Sequence, residues 1–266
     1  MLDLTNFEGY FFDLDGTILL GDKLLPGASE VVNRLRHQEK CLRFLSNTTT
    51  QTAEDCCLRL RSLGLEVEAG EIVTAGQIAA AYLLSHALDP KVLVVGAPAL
   101  SREMVRSGIE ITADPLRASH VLVGMDTSFT YAKLHEAAKA IRAGAVFVAA
   151  NPDANCPVDG DLLPDTWPLV KSIEAASGVG PHVMTGKPSQ YYGAQIMQDC
   201  GLAPEACLMI GDRLDTDIAF GFQNGLATAL VLTGISHNSE WDAGQRRPDY
   251  VWNSLEELVS AFSSVF

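Results

Sequence analysis

A chain of 266 residues, 47% hydrophobic and 20% charged, has the composition of a globular protein that can bury a sizeable core in one or two domains. Its formal net charge of −14 argues against non-specific nucleic-acid binding and against an anionic membrane partner. It does not argue against a phosphate substrate, because a bound cation and a lysine can outweigh the global field locally. No apolar run is long enough to span a membrane, and Met1–Glu8 carries acids and no basic region, so neither a membrane anchor nor a signal peptide is expected. Cys41, Cys56, Cys57, Cys156, Cys200 and Cys207 form no CxxC pair, so they read as buried free thiols of a reduced, cytoplasmic protein.

The first apolar stretch, Gly9-Tyr10-Phe11-Phe12, predicts a buried strand that ends in Asp13-Leu14-Asp15-Gly16-Thr17. In open α/β sheets ligands sit outside the carboxyl ends of strands. Asp13 and Asp15 project to opposite sides while strand geometry lasts, and a turn beginning at Asp15 could bring both to one site. Hard oxygen ligands at that spacing suit Mg²⁺. Taken alone, the pattern is weak and is better read as an Asp-Gly turn after a strand.

Pro26-Gly27 opens a helix with Ala28, Val31, Val32 and Leu35 on one face. A second strand, Cys41–Leu45, stops at Ser46-Asn47-Thr48-Thr49-Thr50, and Thr52 reads as the N-cap of a helix ended by Gly64. Ser46-Asn47 offers a hydroxyl, an amide and turn N–H groups as a phosphate cradle; a polar loop with a helix cap is the alternative. From about Glu71 to His182 the pattern restarts. Strands are expected at Val92–Gly96, Val121–Gly124 and Ala145–Ala150, with helices over Ala99–Ser107 and Tyr131–Ala143. Strands alternating with helices imply a parallel sheet, here in a second domain inserted into the first.

Residues 151–166, beginning Asn151-Pro152-Asp153, form the longest loop-like stretch, either functional or a surface connection with three prolines. A helix over Pro168–Ser177 follows. Lys187, in Gly186-Lys187-Pro188-Ser189, is either an exposed surface lysine or an ammonium aimed at a phosphate ahead of a helix N-terminus. The strand Ala206–Ile210 again ends in glycine and acids, Gly211-Asp212-Arg213-Leu214-Asp215-Thr216-Asp217. Three acids so close together repel unless a cation or hydrogen bonds compensate, which favours a metal site. Another helix (Ile218–Asn224), a strand (Leu226–Leu232) and a final helix from Leu255 to about Phe262 complete the chain.

Asp13-Leu14-Asp15-Gly16-Thr17, Ser46-Asn47, Lys187 and Gly211-Asp212 with Asp217 resemble, in order, the four motifs of the haloacid dehalogenase (HAD) superfamily. Asn151-Pro152-Asp153 and the residues around Lys187 and Asp212 resemble the NagD / p-nitrophenyl phosphatase branch, over nearly the whole chain. The resemblance implies an α/β fold: a doubly wound, Rossmann-like parallel catalytic core over 1–74 and 183–266, with an inserted α/β cap over 75–182. The long stretch between Asn47 and Lys187 leaves room for such a cap.

It further implies a Mg²⁺-dependent phosphatase acting on small phosphate monoesters such as sugar phosphates, nucleoside monophosphates and p-nitrophenyl phosphate. Asp13 would be the nucleophile that forms an aspartyl-phosphate, and Asp15 the general acid and then base. The Asp13 carboxylate, the Asp15 carbonyl and Asp212 would hold Mg²⁺, with Asp217 supporting them. Ser46, Asn47 and Lys187 would bind the phosphoryl group, and Asn151, Pro152 and Asp153 would contact substrate from the cap. The dehalogenases themselves lack an acid at the position of Asp15, so carbon–halogen hydrolysis is disfavoured. Two departures from the branch pattern bear on substrate identity: Thr48 stands where Asn is common, and Asp165-Thr166-Trp167 where a small residue is usual, so that Trp167 could narrow the substrate cavity. A phosphotransferase acting on a sugar acceptor and a catalytically silent phospho-ligand binder remain alternatives, and homo-oligomerisation is left open.

Overall fold

A computed structural model describes residues 6–158, 161–236 and 247–263. Residues 1–5 of the acidic N-terminus and 159–160 of the loop-like stretch lie outside the described residues. The first part of the chain forms β1 (Gly9–Phe12), β2 (Leu19–Leu20), β3 (Lys23–Leu24), α1 (Ala28–His37), β4 (Cys41–Ser46), α2 (Ala53–Ser62) and β5 (Ile72–Thr74). The middle part forms α3 (Ala75–His86), β6 (Lys91–Val95), α4 (Pro98–Arg106), β7 (Glu110–Ile111), β8 (His120–Val123), α5 (Tyr131–Arg142), β9 (Val146–Ala149), β10 (Asn155–Val158), β11 (Asp161–Pro164), α6 (Thr166–Ser177) and β12 (Val183–Met184). The last part forms α7 (Gln190–Cys200), β13 (Cys207–Gly211), α8 (Ala219–Asn224), β14 (Ala227–Val231), β15 (Tyr250–Trp252) and α9 (Glu256–Ser263).

These elements divide into two compact units. The first comprises residues 1–46, 57–73 and 188–266, and the second comprises 47–56 and 74–187. The first is built on a six-stranded sheet in the order β15-β14-β13-β1-β4-β5. Strands β4, β1, β13, β14 and β15 pair in parallel, with β15 at one edge. Tyr10, Phe11 and Phe12 of β1 are all fully buried, as a strand covered on both faces requires. Phe12 stacks on Phe44 of β4, with ring centroids 6.0 Å apart. α1 buries Ala28, Val31, Val32 and Leu35, one face at helical spacing. From β1 the chain goes on to β4 and β5 on one side, while β13, β14 and β15 extend the other. The reversal of strand order therefore falls between β1 and β13, and the crevice at their carboxyl ends is the expected ligand site of such a sheet.

The second unit has its own five-stranded parallel sheet, ordered β12-β9-β8-β6-β7. Its core joins Val95, Val121, Val123 and Phe147 of the sheet to Ile141 of α5 and Val170 and Ile173 of α6. Both sheets realise the α/β reading.

Several expectations change in detail. The stretch 151–166 carries an antiparallel hairpin, β10 with β11, rather than an unstructured loop. Its prolines and exposed leucines obscure the alternation that marks a strand. α3 is apolar nearly all round, so it shows no amphipathic period. Its start is nevertheless written locally, because Thr74 and Gln77 form a reciprocal capping box. Cys41, Cys156 and Cys200 are half-buried rather than buried, and all six cysteines are free thiols. Among the described residues no helix is long and apolar enough to cross a membrane.

Candidate active site

Both central strands of the first sheet end in an acid. The Asp13 N–H continues the ladder of β1 by donating to the Ile210 carbonyl (2.9 Å), so the Asp13 backbone is fixed where the sheet stops. Asp212 follows β13 directly. After it the chain makes a single π-type turn, Leu214–Ile218, which leads into α8. This turn separates the acids by side-chain direction. Asp217 is turned inward and is 1% exposed, whereas Asp215 is 71% exposed at its side chain and pairs with Arg213 (3.3 Å). Of the three acids in this motif, two therefore join Asp13. One carboxylate oxygen each from Asp13, Asp212 and Asp217 lie within 4.8 Å of one another.

Three carboxylates this close, with Asp212 and Asp217 at 1% exposure and Asp13 at 9%, repel by on the order of 3 kcal/mol per ionised pair at an effective dielectric near 20. Backbone donors offset part of this. Asp212 Oδ2 accepts from the Ile235 N–H (2.8 Å), and Asp217 Oδ2 accepts from the Arg213 N–H (3.1 Å). The donor set is all hard oxygen, which fits a small divalent cation such as Mg²⁺ and not a soft metal.

The loop after β14, which carries none of the motifs above, closes around Asp212. A Cβ on Gly234 would stand 1.9 Å from Asp212 Oδ2, and one on Gly16, which has φ +97°, would stand 2.5 Å from it. The two glycines thus let the backbone pack directly against the carboxylate. Thr233 Oγ1 donates to the Gly16 carbonyl (2.6 Å), and the Ser236 N–H donates to the Asp212 carbonyl (3.2 Å). Two glycines, one after the first D-x-D and one in Leu232-Thr233-Gly234, are the only local signal of this packing.

Asp15 lies beyond β1. Its side chain is 44% exposed, and its carboxylate pairs with Arg59 of α2 (3.3 Å). Ser46 is buried as the last residue of β4.

In the second unit Asn47 and Lys187 lock each other through the backbone. The Lys187 N–H donates to Asn47 Oδ1 (2.8 Å), and Asn47 Nδ2 donates to the Lys187 carbonyl (3.1 Å). Asn151 Nδ2 donates to the Asn47 carbonyl (2.7 Å), and Asn151 Oδ1 accepts from the Asp153 N–H (3.0 Å). Lys187 is fully buried, so it is not a surface lysine. Gly186 permits the approach, since a Cβ there would meet the Ala150 carbonyl at 2.5 Å. Asp153 is buried, and its carbonyl accepts from the Trp167 N–H (2.9 Å). Pro152, between Asn151 and Asp153, is half-buried. Trp167 packs against the core of the second unit, with the Lys171 ammonium 4.8 Å from its ring centre.

Residues 10–110 match the family model for haloacid dehalogenase-like hydrolases, and residues 184–258 match a second, HAD-hydrolase-like model. The sugar-phosphatase AraL of Bacillus subtilis is 32% identical over 253 residues, covering 94% of this chain and 92% of its own. The structure of 4-nitrophenylphosphatase from Thermotoga maritima is 32% identical and superposes with a TM-score of 0.92, covering 98% of this chain and 99% of its own. That of the glycerol phosphate phosphatase from Mycobacterium tuberculosis, in complex with magnesium, is 30% identical with a TM-score of 0.88, covering 96% and 77%.

Proposed function

The chain belongs to the haloacid dehalogenase-like hydrolases, and we propose that it is a Mg²⁺-dependent phosphatase that hydrolyses small phosphate monoesters through an aspartyl-phosphate. The observation that carries this reading is the meeting of Asp13, Asp212 and Asp217 where the strand order reverses. The relatives add weight, since those named above are phosphatases of sugar phosphates, 4-nitrophenyl phosphate and glycerol phosphate.

In this reading residues 1–74 and 183–266 form the catalytic core and the insertion over 75–182 is the cap. A carboxylate oxygen of Asp13 attacks phosphorus, and the bond to the ester oxygen breaks as Asp15 gives that oxygen its proton. Asp15 then takes a proton from water, whose oxygen attacks the phosphorus of the aspartyl-phosphate. Inorganic phosphate leaves and Asp13 is restored. The Asp13 and Asp212 carboxylates with the Asp15 carbonyl would hold Mg²⁺, supported by Asp217. When bound, the cation offsets the charge that the nucleophile and the phosphate bring together. The Ser46 hydroxyl, the Asn47 amide and the Lys187 ammonium bind the phosphoryl oxygens. Asn151, Pro152 and Asp153 contribute substrate contacts. The mutual bonds of Asn47, Lys187 and Asn151 hold their backbones in place for this work.

The test is phosphate release from a panel of phosphomonoesters, with and without Mg²⁺, for wild type beside Asp13→Asn. The expected result is Mg²⁺-dependent release that Asp13→Asn lowers by on the order of 10³ or more. Near-wild-type activity in Asp13→Asn, or full activity after exhaustive chelation, would overturn the reading.

A further inference from the structure

Asp15 must give a proton to one oxygen and take a proton from another, so its carboxylate has to be held in place without being buried. The strand that fixes Asp13 ends before Asp15, and the Asp15 side chain is nearly half exposed. A short side chain in that setting samples several rotamers unless something restrains it, and each productive encounter would then carry an ordering cost. The restraint comes from a residue outside all four motifs. Arg59 on α2 uses its two terminal nitrogens for different tasks. One meets Asp15 Oδ1 at 3.3 Å, and the other donates to the Gly21 carbonyl at 2.6 Å.

Gly21 sits at the turn of the β2–β3 hairpin with φ +55°. The hairpin is joined to the Asp15 loop by backbone contacts as well, since the Gly16 N–H donates to the Leu19 carbonyl (2.7 Å) and Asp15 bridges Leu19. Arg59 therefore ties the side chain of Asp15 to the hairpin that its own backbone leads into. A guanidinium suits this, because its planar fork reaches two acceptors at once where an ammonium is a point charge. Partly exposed ion pairs contribute little to stability, so the contact is better accounted for by placement than by folding.

We propose that Arg59 is a positioning residue for proton transfer by Asp15, clamping its carboxylate to the turn of the β2–β3 hairpin. The proposal rests on the phosphatase reading above, through the role given there to Asp15.

Leaving groups discriminate placement from general damage. p-Nitrophenolate leaves as a stable anion and gains little from a proton donor, whereas phenolate, with a conjugate acid near pKa 10 like that of tyrosine, gains much. kcat/KM is measured for p-nitrophenyl phosphate and phenyl phosphate with wild type, Arg59→Gln, Arg59→Lys, Asp15→Asn and the double variant Arg59→Gln/Asp15→Asn. Arg59→Gln is expected to lose about tenfold or more on phenyl phosphate and less than about threefold on p-nitrophenyl phosphate, a small part of the 10²–10⁴ that general acid–base catalysis supplies. In the Asp15→Asn background the same change should cost nothing further on phenyl phosphate. Equal losses on both esters, no loss on either, or an undiminished further loss beside Asp15→Asn would each overturn the proposal. If Arg59→Gln does not fold, Arg59→Lys carries the test, with the same selective loss at smaller size expected and equal losses refuting it. Failure of the phosphatase reading shows separately, as wild-type protein inert on both esters or Asp13→Asn as active as wild type.

Discussion

Gly234→Ala should damage the site as severely as many substitutions of a functional side chain, although it adds only one methyl group. The new Cβ would lie 1.9 Å from Asp212 Oδ2, where ordinary contact begins near 3.4 Å, so one partner must move by about 1.5 Å. Neither moves freely. The Ile235 N–H and Ser236 N–H hold the side chain and carbonyl of Asp212, and Thr233 ties the same loop to the Gly16 carbonyl. If the loop swings out, Asp212 loses a hydrogen bond to a charged acceptor, a cost of about 1.5–3 kcal/mol. If the carboxylate turns away instead, it leaves its neighbours Asp13 and Asp217. A misplacement of about 1 Å can cost on the order of 10² in rate, so kcat/KM should fall by about that factor, or roughly 2.7 kcal/mol of barrier. The Mg²⁺ concentration for half-maximal activity should rise as well. The assay is a Mg²⁺ titration of phosphate release for wild type, Gly234→Ala and, as a control, Gly70→Ala, where an added Cβ meets nothing within 4 Å. If Gly234→Ala stays within about threefold of wild type with an unchanged Mg²⁺ midpoint, the loop after β14 does not set the position of Asp212, and the reasoning fails.

Two further predictions concern groups away from the site. The Cys41 thiol is lowered to about 6, first by a hydrogen bond from the Cys200 thiol and further by Arg43, against the opposing effect of burial. Burial pushes the Cys207 thiol up to about 12. Iodoacetamide should therefore label Cys41 first at pH 7, with a rate midpoint near pH 6 that Cys200→Ala moves upward. Peptide mapping that finds Cys207 labelled as fast would contradict this. Glu103 is buried in α4, one of its carboxylate oxygens has no hydrogen-bond partner among the described residues, and burial raises its pKa above the usual carboxylate value. A raised folded pKa means stability present in acid and lost as pH rises through that value, so Glu103→Gln should stabilise at pH 8 by about 1 kcal/mol. The gain should vanish in acid. Urea denaturation at pH 4.5 and pH 8 checks it, and a gain equal at both would refute the assignment to ionisation.

Much of the fold could be read locally. A buried parallel strand is a continuous apolar run, and β1, β4, β6, β8, β9 and β13 all stand out as such. Amphipathic spacing marks α1 and α5, and a single cap marks the start of α2, where Thr52 and Asp55 bond each other reciprocally. The short strands β2, β3, β5, β7, β12 and β15 were not legible, because two or three residues make no period. The helix α3 showed no period because it is apolar nearly all round, and prolines and exposed leucines obscured the hairpin β10–β11.

At the site the sequence determined which residues could do the chemistry: acids at the ends of two strands, a hydroxyl and an amide at a third, and a lysine set between glycine and proline. Composition and spacing suffice for that, since the requirement is for residue types at strand ends. Tertiary structure decided which of these residues meet. The turn after Asp212 sends Asp217 inward and Asp215 to solvent, a difference of side-chain direction that three acids in six positions cannot specify. Structure also supplied the partners that hold them: the Thr233–Ile235 loop around Asp212, Asn47 against Lys187, and Arg59 on Asp15. Each such bond joins residues far apart in the chain, and pairing at that range follows from packing rather than from local sequence preference.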